Sequence, residues 1–214
     1  MLFDYRPIPT IDLEQVTTEN GRYYINPATG SSYDSVTTIL KRHYDQSYLE
    51  EWKESVGKEK AEEISEFARN NGTSVHEIME DFIFGRENKT KLSPFQKLPI
   101  KRTKEFLTEH LGIVYGAEVR VFSDKMKAAG TFDLFGTIDG INTVIDYKTS
   151  KKNKSRAEIP HYFTQASIYA KMIEELYNIE VPNVLIIMIN HGEKPDFYSA
   201  SVSDSNKEIK RIFG

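Results

Sequence analysis

The stretch GTFDLFGTIDGINTVIDYKTS, residues 130–150, decides how this chain is read. Asp139-Gly140 is a dipeptide that tolerates positive φ at both positions, so it closes a tight hairpin. The runs on either side, 130–138 and 142–149, are rich in the aromatic and β-branched residues that suit a pleated, half-buried surface. Residues two apart on a strand share a face, so Val144, Asp146 and Lys148 point one way and Ile145 and Tyr147 the other. A charged pair on a face of an otherwise apolar strand must be satisfied or functional. Asp133 lies on the preceding run, and antiparallel pairing through the turn can set it beside Asp146. Two close carboxylates repel unless a cation lies between them. A divalent ion held there would adjoin the Lys148 amine, which can orient an activated water.

Outward from this hairpin, a third β-prone run precedes it at 113–122, and a helix follows it from about 160 to 178. The continuous apolar run VLIIMIN at 184–190 reads as a buried strand. DFYSASVS reads as an edge strand and SNKEIKRIF as a closing helix. Upstream, the pattern is mostly helical. Helices are expected at 46–56, over KEKAEEISEFARNN with a stop at Asn71-Gly72, over SVHEIMEDFIFG with Thr73 or Ser74 as its cap, and from about 94 to 111 with a possible break at Pro99. Before them, NGRYYINPATGSSYDSVTT at 20–38 reads as a hairpin around Asn-Pro-Ala-Thr-Gly. The expectation is a single α/β (α+β) domain over 1–214, divided into an N-terminal hairpin region at 1–45, a helical half at 46–111 and a core at 112–214.

The composition narrows the chemistry. The chain has 214 residues, 39% of them hydrophobic and 12% aromatic, enough for one compact core and unlike a disordered segment. It has no cysteine, which removes disulfides, thiolate zinc sites, iron–sulfur clusters and cysteine nucleophiles together. Any metal must be held by carboxylate, imidazole, carbonyl or water, a donor set suited to Mg²⁺, with Mn²⁺ as a substitute. A net charge of −4 disfavours a protein that simply coats DNA, but not an enzyme whose carboxylates are neutralised by bound cations. The start carries no signal or transit pattern and no run is long and apolar enough to span a membrane, so a cytoplasmic protein with no membrane partner is expected. No Walker pattern points to an ATP-driven motor. HEIME at 76–80 lacks the second histidine of a zinc peptidase.

A D-x-K pattern alone is too short to be specific, but four blocks together are not. Gly130, Asp133, Asp146, Tyr147, Lys148 and Thr149 form a G-x-x-D, hairpin, I-D-Y-K-T core. Gln165 and Tyr169 follow as Q-x-x-x-Y, one helical turn apart. Gly72, Thr73 and His76 precede as G-T-x-x-H. In order and context these blocks resemble the RecB-like branch of the PD-(D/E)XK nucleases. GRYYINPATGSSYDSVTTIL resembles, more loosely, the start of the phage and mitochondrial genome-maintenance exonucleases in that branch.

The resemblance implies a restriction-endonuclease-like core with a mixed central sheet flanked by helices. It also implies a Mg²⁺-dependent exonuclease acting on DNA, single-stranded and with a free end, in phage or bacterial replication, recombination or repair. Asp133, Asp146, His76 and the Tyr147 carbonyl would be metal ligands, with Glu118 as a further one. Lys148 would position the attacking water, and Gln165 and Tyr169 would support the site and touch the DNA backbone. Lys151, Lys152, Lys154 and Arg156, with Thr149, would contact phosphates. Taken alone, His76 reads as a core histidine, Glu118 as an exposed strand residue, Tyr169 as core and the basic run as a solvated loop. Two other functions fit the same fold: a structure-selective or sequence-specific endonuclease, and a non-catalytic DNA-binding module.

Overall fold

In the computed structural model, residues 2–45, 47–191 and 194–214 are described. Nine strands and six helices follow in the order β1 (Asp4–Tyr5), β2 (Glu14–Thr18), β3 (Gly21–Ile25), β4 (Ser32–Ser35), α1 (Val36–His43), α2 (Ser47–Val56), α3 (Lys58–Phe84), α4 (Pro94–His110), β5 (Leu111–Ser123), β6 (Ala128–Ile138), β7 (Ile141–Ser150), α5 (Pro160–Tyr177), β8 (Asn183–Asn190), β9 (Asp196–Ser201) and α6 (Asn206–Phe213). The architecture is α/β: one mixed sheet with helices on both faces, as expected. The main path of the sheet runs β2-β3-β4-β6-β7-β8-β9, with β5 on β6 and β1 on β5. The β4–β6, β7–β8 and β1–β5 pairs are parallel and the others antiparallel.

Alternation along β7 and β8 splits the core in two. Val144, Val184, Ile186 and Met188 pack with α5, α1 and α6. Ile145, Tyr147, Leu185, Ile187 and Ile189 pack with Val75, Ile78 and Met79 of α3 and with α4. A strand buried on both faces needs a continuous apolar run, which is why VLIIMIN lacks the polar alternation of an edge strand. No helix among the described residues is long and apolar enough to cross a membrane.

Three expectations need correction. The Asn71-Gly72 stop does not end a helix: α3 runs unbroken for 27 residues, about 40 Å, to a left-handed C-cap at Gly85 with φ 65°. A mid-helix glycine costs only about 0.5–1 kcal/mol relative to alanine. Burial of Val75, Ile78, Met79 and Ile83 just downstream outweighs that. The helix also continues through Pro99 in α4, which starts at a Ser93–Gln96 capping box. The N-terminal region is more than a hairpin, because β2, β3 and β4 enter the main sheet through the β4–β6 pair.

Candidate active site

The site forms where β6 changes neighbours. β4 pairs with β6 at Ala128 and Ala129, while β7 pairs with it from Leu134 to Ile138. Between those ladders, residues 130–133 have neither strand beside them. The β6–β7 hairpin closes at Asp139 and Gly140, both at positive φ (50° and 82°), as a two-residue turn of this kind requires. Its ladder ends at Leu134–Ile145, one position short of Asp133 and Asp146. Beyond it, Asp146–Ser150 of β7 continues in register with Ile186–Asn190 of β8.

This fork lets side chains converge. Asp133 Oδ2 accepts the backbone N–H of Tyr147 at 2.7 Å. His76, reaching in from α3, has Nδ1 3.2 Å from Glu118 Oε1 and 3.4 Å from Asp133 Oδ1, and its Nε2 is 3.2 Å from the Tyr147 carbonyl oxygen. One ligand atom each from His76, Glu118 and Asp133 lies within 4.8 Å of the others. Lys148 Nζ lies 2.5 Å from Asp146 Oδ2 as an ion pair. Asp146 is 1% exposed, and its other oxygen, Oδ1, is buried without a hydrogen bond.

Glu118 reaches the cluster through its backbone. It stands across from Asp133, between the pairs Ala117–Leu134 and Val119–Phe132, and has φ 53°. A left-handed non-glycine residue inside a strand costs on the order of 1–3 kcal/mol and persists only where its surroundings hold it. β5 is irregular just upstream, with register shifts between Leu111 and Gly116.

The charged groups of the cluster shift one another's titration. Burial would lower the His76 pKa, but Asp133, Glu118 and Asp146 outweigh it and raise it to about 9. Burial, together with the Asp133 charge, pushes Asp146 up to about 6 against the pull of Lys148. Burial also raises Asp133, against His76 and Lys148. Desolvation opposes the charge on Lys148, yet Asp146 and Asp133 raise its pKa and keep it protonated. A histidine proton therefore stands among carboxylates that a divalent cation would satisfy better.

The α5 side completes the pocket. Tyr169 is buried against β6: a Cβ on Gly130 would meet the Tyr169 ring at 2.6 Å, so only glycine fits there. Gln165 Nε2 donates to Tyr169 Oη at 3.4 Å. Tyr169 is 3% exposed and packs within the fold beside β6. The basic run divides. Lys151 and Lys152 are exposed. Lys154 Nζ sits 3.5 Å from Tyr162 Oη. Arg156 donates to the Ser199 carbonyl and lies over the Phe163 ring, turned toward β9. Thr149 lies across from Gly72 of α3, where an added Cβ would be 3.8 Å from its Oγ1.

Tyr162 was missed from sequence. Its ring is flanked by Lys148 Nζ at 5.2 Å and Lys154 Nζ at 5.6 Å. Its spacing of three from Gln165 and seven from Tyr169 is a readable signal, since all three lie on one helical face. From there an open groove of about 760 Å³ extends along Gln165, His161, Tyr162, Lys154, Tyr44 and Tyr48.

No protein-family model matches the chain. Over 136 residues it is 32% identical to mitochondrial genome maintenance exonuclease 1 of Mus musculus, an alignment covering 60% of this chain and 40% of that protein. The chain therefore spans less than half the length of that relative. A crystal structure from Eubacterium rectale, described as a candidate exonuclease, is a more distant likeness: TM-score 0.37 and 13% identity over 64% of this chain and 65% of the other.

Proposed function

We propose that this chain is a metal-dependent deoxyribonuclease of the PD-(D/E)XK type that degrades single-stranded DNA from a free end. The observation that carries the proposal is the convergence of His76, Glu118 and Asp133 at the fork where the buried, under-satisfied Asp146 meets Lys148. The similarity to a mitochondrial exonuclease supports it.

The donors fit a hard divalent cation: carboxylate oxygens, one imidazole and the Tyr147 carbonyl, with the buried Asp146 Oδ1 lacking a hydrogen bond. Asp133, Asp146, Glu118 and His76 would hold Mg²⁺ or Mn²⁺. Such an ion, when bound, polarises a phosphoryl oxygen and acidifies a water molecule. Lys148, protonated through Asp146 and Asp133, can donate to a non-bridging phosphate oxygen and stabilise the charge that gathers there. Tyr162 limits where its ammonium can move. Tyr169 and Gln165 brace the β6 backbone beside Asp133. No side chain has to form a bond to phosphorus.

The groove beside Lys148 supports the single-strand reading. It is lined by the rings of Tyr44, Tyr48, His161 and Tyr162, with Lys41 and Lys154 and the carboxylates Asp45 and Glu158 beside them, and such rings offer stacking surfaces to unpaired bases. A role in replication, recombination or repair, alongside proteins of those processes, belongs to the same proposal.

The test uses end-labelled linear single strands, circular single strands and blunt duplexes of matched sequence, with Mg²⁺, Mn²⁺ or EDTA. Loss of the linear strand alone, abolished by EDTA, is expected. Cutting of the circle would replace the exonuclease with an endonuclease, and binding without cleavage in either metal would leave a DNA-binding module.

A further inference from the structure

On the opposite face of the sheet from Lys148, two rings stand with nothing assigned to them. Phe95, in the first turn of α4, is 62% exposed. His191 directly follows β8, and its N–H donates to the Ser150 carbonyl, which places it next to the end of β7. The two ring planes are within 19° of parallel, with centroids 6.5 Å apart. A close-packed pair in this protein, Phe106 and Phe197, has its centroids at 4.1 Å. The Phe95 and His191 rings are thus near-parallel, with their centroids farther apart than in that pair.

The imidazole is held in place. Gln96, buried and fixed by the Ser93 N–H at 2.8 Å, donates from Nε2 to Asn71 Oδ1 at 2.6 Å. That orients the Asn71 amide so that its Nδ2 donates to His191 Nε2 at 3.1 Å. A partly buried relay that ends on a surface imidazole aligns the ring in advance, so less freedom is lost when a flat ligand arrives. Lys151 and Lys152, both exposed, follow Ser150 immediately.

We propose that Phe95 and His191 clamp one unpaired nucleobase of the bound strand, with Lys151 or Lys152 on its phosphate. This rests on the nucleic-acid reading of the site and adds a base position that the Tyr162 groove does not contain. A flat ring system with an adjoining phosphate matches the two near-parallel rings and the neighbouring cations. Stacking on these rings tolerates any base, because every base has a π-face.

The experiment measures binding of the native protein, Phe95→Ala, His191→Ala and Phe95→Trp to single-stranded oligonucleotides in EDTA, where cleavage cannot intervene. Strands carrying 2-aminopurine at successive positions, and an abasic strand of equal length, are the probes. Each alanine variant should weaken binding by about 5- to 150-fold, the range for losing one base–aromatic stack, and abolish 2-aminopurine quenching at one position. The difference should vanish on the abasic strand, and Phe95→Trp should bind as well as native. Affinity within twofold of native for both alanine variants, or an equal loss on the abasic strand, overturns the clamp. Failure of the native protein to bind any strand would instead overturn the nucleic-acid reading beneath it.

Discussion

Replacing Asp146 by Asn should make the metal-free protein more stable while removing its response to metal. The carboxylate is paired through Oδ2 with Lys148 while its buried Oδ1 has no hydrogen bond, and its pKa is raised from 3.8 to about 6. That displacement of about two units corresponds to about 3 kcal/mol of cost for ionised Asp146 in the folded state, with Lys148 already in place. Asparagine removes the charge but leaves a buried amide short of partners, costing about 1–3 kcal/mol. The net gain is therefore about 1 kcal/mol, or about 2–4 °C in Tm for a chain of this size. The sign depends on pH. A raised acid pKa means that the stability from protonation is complete below the unfolded value and is lost as pH rises through about 6. The advantage of the variant should thus be full at pH 8 and shrink toward pH 4. In differential scanning fluorimetry at pH 8, Mg²⁺ or Mn²⁺ at about 100 times Kd should stabilise the native protein by about 2.7 kcal/mol and the variant far less. Asp133→Asn should behave alike, because burial raises the Asp133 pKa too and an asparagine oxygen can still accept the Tyr147 N–H. A fall of several degrees for Asp146→Asn, with the metal response intact, would refute this account of the site.

Lys148→Ala should abolish cleavage and leave strand binding nearly unchanged; activity within about tenfold of native, only ~1.4 kcal/mol of barrier, would show that the lysine is misassigned. Gly130→Ala forces a methyl group into the Tyr169 ring and should cost about 1–3 kcal/mol in chemical denaturation, whereas a neutral result would mean that Tyr169 is free to move. Neutralising Lys151 and Lys152 together should reduce the slope of log affinity against log salt by about 1.4 on single strands. Arg156→Gln should leave that slope unchanged, since this guanidinium is held by the Ser199 carbonyl and Phe163; an equal drop would put it back among the phosphate contacts.

The sequence by itself determined the hairpin at Asp139-Gly140, the two-faced strand carrying Asp146 and Lys148, the buried character of β8 and the helix carrying Gln165 and Tyr169. Each of these rests on local chemistry: a turn that needs positive φ, a period of two, an unbroken apolar run, a period of 3.6. It also named His76 and Glu118, but only through a resemblance, because nothing local ties a helix residue to a strand residue 42 positions away. The tertiary structure decided the rest. Packing of Val75, Ile78 and Met79 against the sheet carried α3 through Gly72, where local propensity predicts a stop, and that continuity is what delivers His76 to the fork. The left-handed backbone at Glu118 left no mark in the sequence, since the strain is held by the strands around it. The different settings of Lys151 and Arg156 were equally hidden: four basic residues among six positions look alike until the fold turns one toward β9 and leaves others in solvent. The termination of the β6–β7 ladder one residue before the two aspartates is also a tertiary fact. It follows from β4 and β7 sharing one edge of β6, and it is what opens the space in which the charged groups meet.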